Sequence, residues 1–178
     1  MNVFKKPVVV VSRCLEFAAC RYDGARIEAQ FIRELEPFVE FIPVCPEVEI
    51  GLPIPRDPIC IVQTDTGLKL IQPSTGQDFT SQMLNLAEGF LSELKDVDGF
   101  ILKSRSPSCG IEDCKLFAPD SLETPIGTIS GFFAAKVLES FPKCRVVSEQ
   151  SMQDPNTRQD FLQQIFTAAR ERAVIAME

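Results

Sequence analysis

Apolar positions along the chain follow two alternating periods. Val8 to Ser12 (VVVVS) is an unbroken β-branched run, which predicts a strand buried on both faces, as in a parallel sheet. Ile27 to Leu35 (IEAQFIREL) spaces its apolar residues as a helix does, and Pro37 marks the end. Phe38 to Val44 (FVEFIPV) reads as a second strand with Pro43 at its end, where a missing ladder donor matters least. Pro46 to Pro58 is Pro-rich and predicts a loop of defined shape. Ile59 to Gln63 and Leu68 to Ile71 alternate around Asp65-Thr66-Gly67, the pattern of a β-hairpin. Asp78 to Leu94 carries the amphipathic repeat of a long helix, with Asp78 or Thr80 as its cap. Gly99 to Lys103 (GFILK) is a short apolar strand, followed by a Ser/Pro/Gly segment and a loop around Asp120 to Pro125. Ile129 to Phe141 reads as a helix, Arg145 to Ser148 as a fourth strand, and Asn156 to Ala173 as the closing helix.

Strand and helix therefore alternate, with connections long enough for crossovers. This predicts an α/β fold: an open, mostly parallel sheet with helices on both faces. At 178 residues, residues 1–178 are expected to form a single α/β domain with a sizeable core. No apolar run approaches the roughly 20 residues that span a bilayer. The segment Met1 to Pro7 leads into Val8 to Val11, too short an apolar stretch for a signal sequence and without a small-residue cleavage site. A cytoplasmic protein with no membrane partner is the expectation.

Charge and composition narrow the chemistry. The formal charge is −7, with no basic stripe of the kind that neutralises phosphates, so long nucleic acid is not an expected partner. A small substrate fits better, and nothing in the sequence sets an oligomeric state. The chain has no histidine, which removes every mechanism that needs an imidazole base or ligand. It has seven cysteines, an odd number that argues against a disulfide framework.

Placed on the predicted elements, three of these cysteines fall at strand ends. Cys14 follows the first strand, Cys45 the second, and Cys109 lies a few residues beyond the third. In an open α/β sheet the carboxyl ends of the strands form the binding crevice, so the three thiols are expected to converge although they are far apart in sequence. Zinc sites normally close with four protein ligands, often in CxxC pairs, and this chain has no CxxC. A 4Fe–4S cluster takes thiolates. Held by three, it keeps one iron open to a soft donor. Around the thiols stand Glu47, two residues after Cys45; Arg56, in the GLPIPR loop; Ser106 and Ser108, in SPSCG; and Lys103 at its strand end. A carboxylate, hydroxyls and an ammonium beside an open metal are parts for water activation and substrate positioning. Glu47 could equally pair with Arg56, and SPSCG could act as an anion-binding nest.

These motifs resemble the thiouracil desulfidase family, long catalogued as a bacterial domain of unknown function. The matching pieces are S-x-C-L (Ser12 to Leu15), RYDG (Arg21 to Gly24), CPE with GLPxPR (Cys45 to Arg56), and K-x-x-SPSCG (Lys103 to Gly110), in that order. The resemblance implies a Rossmann-like domain in its minimal form, with a 4Fe–4S cluster on Cys14, Cys45 and Cys109. It also implies non-redox removal of sulfur from 2-thiouracil or a related thiolated base. Glu47 would activate water, Ser106 would assist proton transfer or hold the ring with Ser108 second to it, and Lys103 and Arg56 would position substrate or loop.

The sequence departs from the family motifs at Cys20, Cys60, Cys114 and Cys144, which read as small buried hydrophobes. Cys114, five residues past Cys109, is the one that could contest ligation. Two other functions remain open at this stage: a non-catalytic iron–sulfur or thiol redox sensor, and a zinc-binding structural module.

Overall fold

The computed structural model describes residues 5–175, so Met1 to Phe4, the start of the segment read for a signal, lies outside the described residues. Four strands form a parallel sheet: β1 (Val8–Ser12), β2 (Glu40–Val44), β6 (Gly99–Leu102) and β9 (Arg145–Ser148), in the order β2-β1-β6-β9. Alternation along β1 explains why its valines are continuous. Val9 and Val11 face one core with Ile32 of α1 (Gln30–Leu35) and Phe161 and Ile165 of α5 (Pro155–Ile175). Val10 faces the other, with Met83, Ala87 and Leu91 of α3 (Thr80–Glu93) and Phe133 and Val137 of α4 (Phe132–Ser140). A strand covered on both faces has no solvated side to make polar, so the run carries no alternation. Pro43 falls inside β2, opposite Val11, and is tolerated because β2 is an edge strand.

A second, mixed sheet extends the expected architecture. It has the order β5-β4-β3-β7-β8. The predicted hairpin supplies β3 (Cys60–Thr64) and β4 (Gly67–Gln72), and β5 is Gln77–Asp78. The segment after β6, expected as loop, supplies β7 (Cys114–Phe117) and β8 (Gly127–Ile129), with β7 parallel to β3. Ile61 and Leu70 of this sheet share one core with Val10, Phe100 and Leu102 of the parallel sheet.

Three boundaries move for local reasons. The helix expected from Ile27 begins at Gln30, because Ile27 N–H donates to the Cys14 carbonyl (2.8 Å) and its carbonyl accepts from Glu16 N–H (2.9 Å). The helix expected from Ile129 begins at Phe132, because Ile129 pairs with Cys114 in the mixed sheet. The Pro46–Pro58 stretch opens with a helical turn, α2 (Pro46–Glu49), started by a proline at the position where its missing N–H is harmless. For α3, the residue before the helix is Phe79, and Asp78 Oδ1 accepts from Thr80 N–H at 2.8 Å. Among the described residues no helix is long and apolar enough to cross a membrane.

Candidate active site

The carboxyl edge of the parallel sheet carries a cavity of about 370 Å³. Cys14, Cys45 and Cys109 all line it, as do Glu47, Arg56, Lys103, Ser106 and Ser108. The eight candidate site residues thus reach one place, from the ends of β1, β2 and β6 and from the loop after α2. The three thiols are buried, at 8%, 9% and 4% exposure, and still border the cavity.

Local hydrogen bonds shape the segments that carry Cys45 and Cys109. Cys45 has extended dihedrals immediately before α2, and its carbonyl accepts from Val48 and Glu49 N–H, both at 3.0 Å. The Cys109 loop is wound around Ser106, whose hydroxyl oxygen accepts from the N–H groups of Ser108 (3.2 Å) and Cys109 (3.1 Å). The start of α4 then docks on the loop: Gly131, Phe132 and Ala134 N–H donate to the carbonyls of Gly110, Pro107 and Ser108 at 2.8, 3.0 and 3.0 Å. Gly131 is required there, since a Cβ would lie 2.5 Å from the Ser108 carbonyl carbon and 2.6 Å from its oxygen.

Glu47 is buried and its two oxygens have separate partners. Oε2 accepts from Arg56 Nε (2.9 Å) and pairs with Nη2 (2.8 Å), while Oε1 accepts from the Ser108 hydroxyl (3.1 Å). The Arg56 side chain is itself buried, and its Nη1 donates to the Cys20 and Pro53 carbonyls, each at 3.2 Å. A buried carboxylate with a paired guanidinium and a hydroxyl escapes most of the penalty of an isolated buried charge. Arg56 therefore works as a clamp on Glu47. Lys103 is similarly engaged: Nζ donates to the Ser104 carbonyl (2.8 Å), the Ser104 hydroxyl (3.0 Å) and Glu149 (2.6 Å). Those are all three donors of an ammonium. Ser106 Oγ accepts two bonds, and its own proton has no acceptor among the described residues.

Burial dominates the thiol electrostatics. It pushes Cys14 up to about 12, with Cys20 and Cys45 adding to the effect and Lys103 opposing it. Cys109 is held well above its ordinary value by burial, against a hydrogen bond from Ser12. Cys20 is also pushed up to about 12, by burial first and then by Cys45. These mutual influences place the cavity thiols in one electrostatic neighbourhood.

Four residues of the site were not singled out from the sequence. Ser12 accepts from Lys103 N–H (2.9 Å), tying the β1 and β6 ends together. Glu149 follows β9 and receives Lys103 Nζ, the Ser104 hydroxyl (2.6 Å) and Ser104 N–H (2.7 Å). The strand-end rule that found Cys14 and Cys45 applies equally to Glu149, the group after the fourth strand. Cys20 is buried in the core, as the sequence reading had it, and also lines the cavity. Gly131 carried no signal in the sequence. Cys114 lies in β7 within the core, its Sγ 3.7 Å from the Lys115 carbonyl, and is not among the residues lining the cavity.

The donor set fits an iron–sulfur cluster by its chemistry: four buried thiols, Cys14, Cys20, Cys45 and Cys109, border one cavity, and the chain has no histidine to compete. Among the described residues no group of three or more His, Cys, Asp or Glu is placed to hold a single metal ion. A cluster takes its thiolates on separate irons and so matches thiols set around a cavity rather than on one point.

The model of the 2-thiouracil desulfurase family matches residues 9–150. A curated relative, an uncharacterized protein YbbK of Bacillus subtilis (strain 168), is 32% identical over 110 residues, covering 58% of this chain and 73% of its own length. A solved structure, described as a 4Fe–4S-dependent thiouracil desulfidase TudS, matches with a TM-score of 0.66 at 26% identity, covering 87% of this chain and 99% of its own.

Proposed function

The chain belongs to the 2-thiouracil desulfurase family, and from that premise we propose that it is a desulfidase that hydrolyses the thiocarbonyl of a small thiolated nucleobase. The observation that carries the reading is the gathering of Cys14, Cys45 and Cys109 around one cavity with Glu47 clamped at its wall. These three thiols would hold a 4Fe–4S cluster, the cofactor named for the solved relative. When bound, the cluster supplies an iron without a protein ligand, where a soft sulfur atom finds a partner.

The net reaction is non-redox: a thiocarbonyl and water give a carbonyl and hydrogen sulfide. Glu47 takes a proton from the attacking water. Arg56 and Ser108 hold the two carboxylate oxygens at fixed positions, so the base loses no energy to reorientation as it acts. The uncommitted Ser106 proton points to donation to a ring nitrogen or oxygen of the substrate. Lys103, whose three donors are occupied, and Arg56, with four of its five engaged, shape the site rather than grip the ligand directly.

The test is turnover of 2-thiouracil by anaerobically reconstituted protein in ¹⁸O-water, with no electron donor. Sulfide and ¹⁸O-labelled uracil in equal amounts are expected. Glu47→Gln should keep its iron and lose at least about 10²-fold in kcat, the usual share of a general base. Fully loaded protein that releases no sulfide would overturn the proposal and leave the redox-sensor reading in its place.

A further inference from the structure

The turn Arg21-Tyr22-Asp23-Gly24 borders the cavity through Arg21 and Tyr22, and it has no part in the reaction just described. Tyr22 is the chain's one tyrosine, and there is no tryptophan. It is 42% exposed, and among the described residues its hydroxyl has no hydrogen-bond partner. Phe38 is also exposed but does not line the cavity. The Tyr22 ring is nevertheless held. The Arg21 guanidinium carbon lies 5.4 Å from the ring centroid, a cation–π contact, and Arg21 Nη1 pairs with Asp23 Oδ2 at 3.3 Å. Asp23 Oδ1 accepts from Ala25 N–H (3.0 Å), and Gly24 N–H donates to the Arg21 carbonyl (2.9 Å). Gly24 reaches that closure at φ +75°, a conformation open to glycine. Arg56 N–H donates to the Tyr22 carbonyl (2.7 Å), while the Arg56 guanidinium clamps Glu47. One arginine thus ties the backbone beneath the ring to the carboxylate that takes the water proton.

Resting on the desulfidase reading above, we propose that Tyr22 is the stacking platform for the substrate's ring, so that the site selects a flat heteroaromatic thiocarbonyl over an acyclic one. The deep cations leave this task open. Lys103 spends its three donors on Ser104 and Glu149, and Arg56 spends four of its five on Glu47 and two carbonyls. A small thiolated base has few polar atoms but two broad π-faces, and a base stacks on an aromatic side chain whatever its ring substituents. Tyrosine suits a half-wet wall, because its flat body takes the base while its hydroxyl stays in water. Arg21 holds the ring before the ligand arrives, so little side-chain freedom is left to lose on binding. The four residues of the turn then each have a part. Tyr22 offers the face, Arg21 holds it, Asp23 holds Arg21, and Gly24 lets the chain turn back.

The experiment uses the single tyrosine as its own probe. Protein labelled with 3-fluorotyrosine carries one ¹⁹F signal, that of Tyr22. In anaerobically reconstituted Glu47→Gln protein, 2-thiouracil should shift this signal to saturation, and thiourea, which has the thiocarbonyl but no ring, should leave it in place. In the otherwise unaltered enzyme, Tyr22→Leu should raise KM for 2-thiouracil by about 10-fold, the scale of one lost base–aromatic stack. Its kcat and iron content should stay near wild type, as expected when binding common to ground and transition states is removed. Tyr22→Phe keeps the face and should keep KM, and Phe38→Leu should also leave KM unchanged. A ¹⁹F signal unmoved by 2-thiouracil, with KM unchanged in Tyr22→Leu, overturns the proposal while sulfide release continues. A KM raised equally in Tyr22→Phe and Tyr22→Leu would assign the effect to the hydroxyl and overturns it too. Wild-type protein that releases no sulfide while 2-thiouracil still shifts the signal overturns the reaction and leaves the stacking site standing.

Discussion

Cys109 and Cys114 stand five residues apart, are each 4% exposed, and belong to one hydrophobic core, yet they face different surroundings. Cys109 sits in a loop wound on the Ser106 hydroxyl and seated against the start of α4, and it borders the cavity. Cys114 is already in β7, paired with Ile129, with its side chain in the core between the sheets. Burial pushes both thiols upward, so burial does not separate the two environments. The separation comes from the backbone. Gly110 N–H closes on the Ser106 carbonyl at 2.8 Å, and a Cβ on Gly110 would lie 2.5 Å from Asp113 Oδ1 and 2.8 Å from the Ser106 carbonyl oxygen. The chain therefore turns tightly after Cys109 and enters the mixed sheet before Cys114.

The sharpest way to break this comparison is metal content. Serine at Cys14, Cys45 or Cys109 should abolish most of the iron retained after anaerobic reconstitution, read as iron and acid-labile sulfide per chain. Serine at Cys60, Cys114 or Cys144 should leave both at the wild-type level. Iron lost from Cys114→Ser, with the fold intact by circular dichroism, would place a ligand in the mixed sheet and erase the distinction.

The same contrast explains what could be read in the sequence. The parallel sheet was legible because each of its strands is short, apolar and bounded by turn residues, as Val8–Ser12 and Gly99–Leu102 are. Its strand ends then located Cys14 and Cys45 without further information. The mixed sheet was half legible. Its hairpin announces itself by Asp65-Thr66-Gly67, but β7 and β8 are three or four residues each and gain their partners from a distant hairpin, β3 with β7. Tertiary pairing of that kind leaves no local period. The clamp of Arg56 on Glu47 was visible as a candidate pair, whereas the full engagement of Lys103 depends on Glu149, 46 positions away. Gly131 illustrates the limit, because its requirement comes wholly from the close approach of the Ser108 carbonyl.

Gly131→Ala tests that close approach and should have the next largest effect. Either α4 or the Cys109 loop must move, and overpacking of this sort costs about 1–3 kcal/mol. A lower denaturant midpoint is expected, together with weaker cluster retention, because the displaced segment carries Cys109. Gly127→Ala is the control: it stands in β8 with nothing within 4 Å of the added Cβ and should change neither quantity. If Gly131→Ala lowered stability but held iron as firmly as wild type, the loop would not be what sets Cys109 in place.

The smallest expected effect is one in which the two regions should behave alike. Burial raises both Cys14 and Cys114 from 9.0 to about 12 in the cluster-free fold. Above pH 9 the unfolded chain loses these protons while the folded chain keeps them. The unfolded state then binds fewer protons, so stability falls as pH rises, and the contribution is fully present only below the ordinary thiol value. Between pH 9 and 10 the loss should be about 1 kcal/mol for each such thiol, measured as the shift in unfolding free energy of cluster-free protein. Cys14→Ser and Cys114→Ser should each flatten that slope by a similar amount, although only the first removes iron. A flattening confined to Cys114→Ser would mean that the Cys14 thiol is not sheltered before metal arrives, and that its burial follows from cluster assembly rather than preceding it.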